Sequence, residues 1–136
     1  MIRVGDRFEC EVCFTQEQVN TFAEITGDRN PIHIDPVFAA ITRFGRPIVH
    51  GFLSGAVFSK VFGMQFPGPG TVYMSQEMRF AGPVFVDEPY TARFEVAEIN
   101  TEKHNGIVEC TLVNGEGKEC IVGRAKLKHT GEFVEE

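Results

Sequence analysis

An α+β fold is predicted for this chain by three observations. Two segments alternate apolar and polar residues with a period of two. One stretch of about 13 residues is apolar on nearly every side. The helical segments sit together behind a first strand and ahead of about four more, not interleaved with them. The expected architecture is one domain over 1–136, with an antiparallel sheet of about five strands wrapped around one long buried helix. A single sheet around one helix leaves an edge or face uncovered, so a homodimer is expected.

The elements follow in order. FECEVCFT is apolar and rich in β-formers, a first strand. Thr15 followed by Gln18 is a capping-box pattern, and Val19, Phe22, Ala23 and Thr26 continue at helical spacing until Gly27. Residues 27–36, GDRNPIHIDP, carry two prolines that exclude a continuous helix, so an ordered polar loop is expected. Asp35 and Pro36 suit the N-cap and first position of a short helix with Phe38 and Ala39. After Pro47 comes the long helix, Gly51 to Phe62, with Gly63 as its stop and Lys60 as its only charge. Its apolar circumference predicts burial all round. Gly51, Ser54, Gly55, Ala56 and Ser59 allow another backbone or a ligand to come close.

Past Gly68 and Gly70 the period changes. Val72, Met74, Gln76, Met78 and Phe80 alternate with Tyr73, Ser75, Glu77 and Arg79, and Tyr90, Ala92, Phe94 and Val96 alternate in the same way. Asn105-Gly106 is a hairpin-turn signal. Segments 107–114 and 118–128 are two further strands joined through Gly115 and Gly117, and TGEFVEE is expected to be a loose tail.

The formal charge of -6 argues against nucleic acid as the main partner, since phosphate contacts need a basic face. No apolar run is long enough to span a membrane, and MIRVGDRFEC has no apolar leader core, so a cytosolic location is expected. Cys10 and Cys13 form a CxxC, but Cys110 and Cys120 supply no second pair for a zinc site. The CxxC lies in a strand, so reduced thiols are expected.

Two places carry chemistry-bearing side chains. Asp28 and His33 could meet on one water molecule if the loop curls around Pro31. A carboxylate accepts a proton from water, and an imidazole passes or receives one near neutral pH, which suits adding water to an activated alkene. Turn chemistry also accounts for Asp28, through an Asx-turn with Arg29 and Asn30, and His33 could be an ordinary satisfied histidine. The second place is His50-Gly51 at the head of the long helix. There the first N–H groups lack intrahelical partners at the positive end of the dipole and could stabilise an enolate oxygen.

GDRNPIHIDP followed by GRPIVHG resembles the hydratase motif of the MaoC-like proteins, particularly the (R)-specific enoyl-CoA hydratases. The likeness runs on through FLSGAVFSKVFG and PGPGTVYMSQEMRFAGPVFVDE and weakens beyond about Ile99. It implies a hot-dog fold and a dimer with active sites near the subunit interface. It also implies that Asp28 and His33 are the catalytic pair, that the Gly51 N–H binds the thioester carbonyl, that Ser59 is a supporting serine near the pair, and that Asn30 shapes the loop. The implied reaction is reversible hydration of a trans-2-enoyl thioester to the (R)-3-hydroxyacyl thioester. The substrate is carried on coenzyme A or acyl carrier protein, with no metal and no further cofactor.

Coenzyme A phosphates would call for cations at the channel mouth, with Arg29, Arg43, Arg46, Lys60 and Arg79 available. The pocket floor is placed near Phe52, Phe66, Met74 and Phe85. Two other functions fit the same fold: an acyl-thioester hydrolase, and a non-catalytic acyl-thioester-binding or dehydratase subunit.

Overall fold

The computed structural model describes residues 1–135. Five strands form one antiparallel sheet: β1 (Arg7–Val12), β2 (Val72–Phe80), β3 (Tyr90–Asn100), β4 (Asn105–Val113) and β5 (Glu119–Lys128), in the order β1-β3-β4-β5-β2. Four helices lie between β1 and β2: α1 (Gln16–Thr26), α2 (Pro31–Ile34), α3 (Pro36–Ala40) and α4 (Gly51–Met64).

α1 begins as its sequence predicts. The Thr15 side chain accepts from the Gln18 N–H, the Gln18 side chain accepts from the Thr15 N–H, and Gly27 closes the helix in the left-handed conformation. The loop expected over 27–36 contains one helical turn, α2. Pro31 is tolerated there because it sits at the first helical position, where its missing N–H has no intrahelical partner to lose. Asp35 caps α3 by accepting from the Val37 and Phe38 N–H groups.

β3 carries Tyr90, Ala92, Phe94 and Val96 on its buried face. Phe94 meets Phe58 and Phe62 of α4 edge-on, at centroid distances of 5.8 and 5.4 Å. That contact places the core between helix and sheet.

α4 departs from expectation in two ways. It runs through Gly63 to Met64, and only Ser54, Gly55, Phe58, Val61 and Phe62 are buried. Phe52 is 74% exposed, and Ala56 and Ser59 are exposed on the same stripe. One sheet covers one side of a helix, so the apolar circumference is only half used within a single chain.

Three smaller corrections follow from packing. A bulge between Tyr73 and Ser75 in the β2–β5 pairing takes Met74 out of the alternation, so Tyr73, not Met74, faces Phe62, at 5.5 Å edge-on. Asn105 and Gly106 are not the hairpin turn. They open β4, paired with Asn100 and Ile99, and the turn is made by 101–104 with His104 at φ 55°. The tail is not loose: Phe133 is fully buried, and its ring lies over Gly106, where an added Cβ would approach within 2.5 Å. The His104 Nδ1 lies 3.1 Å from the Phe133 carbonyl, and the Ile2 N–H reaches the Glu132 carbonyl.

Candidate active site

The polar loop delivers its side chains by way of its turns. Gly27 ends α1 and sends the chain outward, and Asp28 follows with its N–H donated to Thr26 Oγ1 at 3.1 Å. Its carboxylate is approached by the Asn30 N–H at 3.4 Å, the Asx-turn contact. Asn30 caps α2 by accepting from the Ile32 N–H at 3.2 Å. That single turn then points His33 back toward Asp28.

The His33 Nδ1 lies 2.8 Å from the Ile48 carbonyl oxygen. A carbonyl only accepts, so Nδ1 carries the proton and Nε2 offers a lone pair. Burial depresses the His33 pKa below the ordinary imidazole value, the Ile48 hydrogen bond opposes that, the neighbouring His50 adds to it, and Asp28 opposes it. The net shift favours the neutral ring, with Nε2 free to accept a proton. The Asp28 carboxylate and ring nitrogens of His33 and His50 all lie within 4.8 Å of one another.

These groups line a cavity of about 850 Å³. The head of α4 forms part of its wall, with His50, Gly51, Phe52 and Ser54 contributing, and Phe80, Ala81 and Val84 add apolar surface. His50 is the N-cap of α4 and makes no side-chain cap hydrogen bond, so the first helical N–H groups are not taken by that side chain. The site brings together a proton acceptor, a carboxylate, a helix N-terminus and an apolar wall. That arrangement can polarise a carbonyl while a water molecule is deprotonated beside it.

Residues 4–117 match the family model described as MaoC like domain. The chain belongs to the MaoC-like domain family. An (R)-specific enoyl-CoA hydratase from Aeromonas caviae is 37% identical over 127 residues, covering 93% of this chain and 95% of that protein. The solved structure of the A. caviae (R)-hydratase superposes with a TM-score of 0.91 over 94% of this chain and 97% of that one. The R-hydratase PhaJ1 of Pseudomonas aeruginosa superposes with a TM-score of 0.90 at 34% identity, covering 96% and 84%. A 3-hydroxybutyryl-CoA dehydratase from Methylorubrum extorquens is 45% identical over 95 residues, which are 70% of this chain and 60% of that protein. The fold is the hot-dog fold of these hydratases.

Within this MaoC-like domain, Asp28, His33 and Gly51 reach the one cavity, and Asn30 shapes the loop. Ser59 does not reach it. It lies on the exposed stripe of α4 with Phe52 and Ala56, eight residues along from Gly51, or about 12 Å at the helical rise. The serine on the cavity wall is Ser54, whose buried Oγ donates to the His50 carbonyl at 3.1 Å. The signal for it was present, since Ser54 stands one turn from Gly51 on the same helix.

Of the cations, Arg43 lines the cavity, joined by Lys118 from the β4–β5 turn. Arg46 is bound to Glu88 at 2.8 Å and lies over the Phe85 ring. Of the expected floor, only Phe52 lines the cavity: Phe66 is buried and stacked on Phe8, and Met74 lies in a separate shallow groove.

Proposed function

We propose that this protein is a hydro-lyase that reversibly adds water to a trans-2-enoyl-CoA, giving the (R)-3-hydroxyacyl-CoA. The observation that carries the reading is the convergence of the Asp28 carboxylate and the neutral His33 ring on the cavity that also holds the head of α4. The (R) configuration and the coenzyme A carrier rest on the relatives named above. Arg43 and Lys118 on the cavity wall suit the phosphates of that carrier.

In the hydration direction, Asp28 and His33 hold one water between them. His33 Nε2 takes a proton from it as its oxygen bonds to C3 of the enoyl group. The electron pair of the C2–C3 double bond moves into the thioester, and the oxygen that gains charge lies against the Gly51 N–H, where the α4 dipole is positive. His33 then returns the proton to C2, which closes the balance at one water added. The thioester itself activates the alkene, so the scheme uses no metal and no further cofactor.

A homodimer completes the molecule in this reading. Phe52 and Ala56 of the exposed α4 stripe share a shallow apolar groove with Tyr73 and Met74 of the edge strand β2. A second copy would cover it, and Ser59 with it. The four cysteines are free thiols, in keeping with a reducing, cytosolic setting.

The test is loss of enoyl absorbance on mixing the protein with crotonyl-CoA, with Asp28→Asn as control. The expected result is rapid loss in the wild type and kcat lower by roughly 10²–10⁴-fold in the variant. Near wild-type turnover in Asp28→Asn would sink the assignment, and release of free thiol without hydration would mark a thioester hydrolase.

A further inference from the structure

His50 is only 2% exposed and packs against two rings. Phe22 of α1 lies 4.8 Å away at a tilt of 55°, and His33 lies 3.9 Å away with an interplanar angle of 29°. Its Nε2 is 3.0 Å from the main-chain carbonyl oxygen of Asp28. That carbonyl can only accept, so Nε2 holds the ring proton and Nδ1 is a bare lone pair. Nδ1 is buried with no hydrogen-bond partner among the described residues.

An unpartnered buried nitrogen is destabilising, and the ring does not cap α4. Helix capping therefore does not account for a histidine at this position. Its polar contact is with Asp28, and its imidazole partner is His33. We propose that His50 is a positioning residue for the hydration chemistry: its Nε2–H ties down the main chain of Asp28 while its ring fixes the plane of His33. This rests on the hydratase reading given above.

Charge supports the same role. The ring of His50 at 3.9 Å lowers the His33 pKa alongside burial, the larger cause. The titratable and charged groups facing this ring and its cavity are Asp28, His33, Arg43 and Lys118, while α1 and α4 present Phe22, Thr26 and Ser54. Ser54 holds the base of the arrangement, since both its N–H and its Oγ donate to the His50 carbonyl.

Two variants separate the two contacts. His50→Phe keeps a flat ring against Phe22 and His33 but removes the donor to Asp28. His50→Gln keeps a donor amide but removes the ring. Expected for His50→Phe is a kcat lower by about 10–10²-fold, the scale of an ångström-sized misplacement, with KM within about twofold and Tm unchanged or higher. Expected for His50→Gln is recovery of most of that kcat, with the acid limb of the pH profile moved upward. Wild-type kcat in His50→Phe, or losses in both variants that merely track a falling Tm, would overturn the proposal.

An NMR titration of the His33 ring provides a readout independent of turnover. The His33 pKa should rise in both variants, and an unmoved value would overturn the coupling. If the wild type fails to hydrate crotonyl-CoA, the hydratase reading falls while this titration still decides whether His50 governs His33.

Discussion

The ring of Phe80 occupies the space a side chain on Gly51 would need: a Cβ there would come within 2.7 Å of Phe80 Cε1. One turn on, a Cβ at Gly55 would meet the Met78 sulfur at 2.6 Å. The head of α4 is thus pressed onto β2, at the point where the proposed mechanism uses the Gly51 N–H. Gly51→Ala should cost about 1–3 kcal/mol, the usual scale of overpacking, and lower kcat as α4 is pushed from the sheet. Adding Phe80→Leu should restore most of both. A denaturant midpoint and the crotonyl-CoA assay on the single and double variants check this. Stability recovered without activity would mean that Phe80 itself shapes the acyl site.

In the proposed mechanism His33 makes turnover depend on pH with a definite sign. Only its neutral form can take the proton from water, and its pKa lies below the ordinary imidazole value of 6.5. The acid limb of kcat/KM should therefore fall below pH 6.5, with full activity above it. An acid limb above pH 7 would show that another group is the base.

The same depressed value has a consequence for stability. Between the folded value and 6.5 the unfolded chain binds a proton that folded His33 does not, so the contribution is intact above about 6.5 and is lost as pH falls through that window. His33→Gln should show a smaller loss of stability than the wild type between pH 7.5 and pH 5, measured by urea midpoints. An equal loss in both would place the pH sensitivity elsewhere.

The tail is a packed element, and its removal should be costly. Phe133→Ala empties a fully buried site over Gly106, and large-to-small aromatic changes in cores cost about 3–5 kcal/mol. A Tm unchanged within error would show that the tail is not docked in solution.

The apolar face of α4 gives a test of assembly. Ala56→Glu places a charge in the middle of the exposed stripe, away from the cavity-lining residues. It should turn a dimer into a monomer by light scattering, with the far-ultraviolet spectrum retained. A wild type that is already monomeric would refute the homodimer.

The thiols should differ in reactivity. Cys13 is exposed, whereas Cys110 is buried and its pKa is pushed up to about 11 by burial. Alkylation at pH 8 should modify Cys13 first and Cys110 only on unfolding, as peptide mass mapping will show.

Much of the architecture was legible because it is written in local periodicity. The alternation at Tyr90–Val96, the capping box at Thr15 and Gln18, and the Asp35-Pro36 helix start are short-range rules that the folded chain obeys. The Asp28–His33 spacing announced the pair in the same way. Tertiary packing decided what such rules cannot reach. Asn105-Gly106 was moved out of its turn because Phe133, 27 residues on, requires a glycine beneath its ring. Ser54 and not Ser59 lines the cavity because the sheet covers one side of α4. The depressed pKa of His33 came from burial and from His50, neither of them visible in a six-residue motif. The sequence by itself determined the elements and the nearness of Asp28 to His33, since both depend on neighbours along the chain. Only the folded structure decided which faces are buried, which nitrogen is free and what holds the pair in place, because those depend on residues brought together across the sheet.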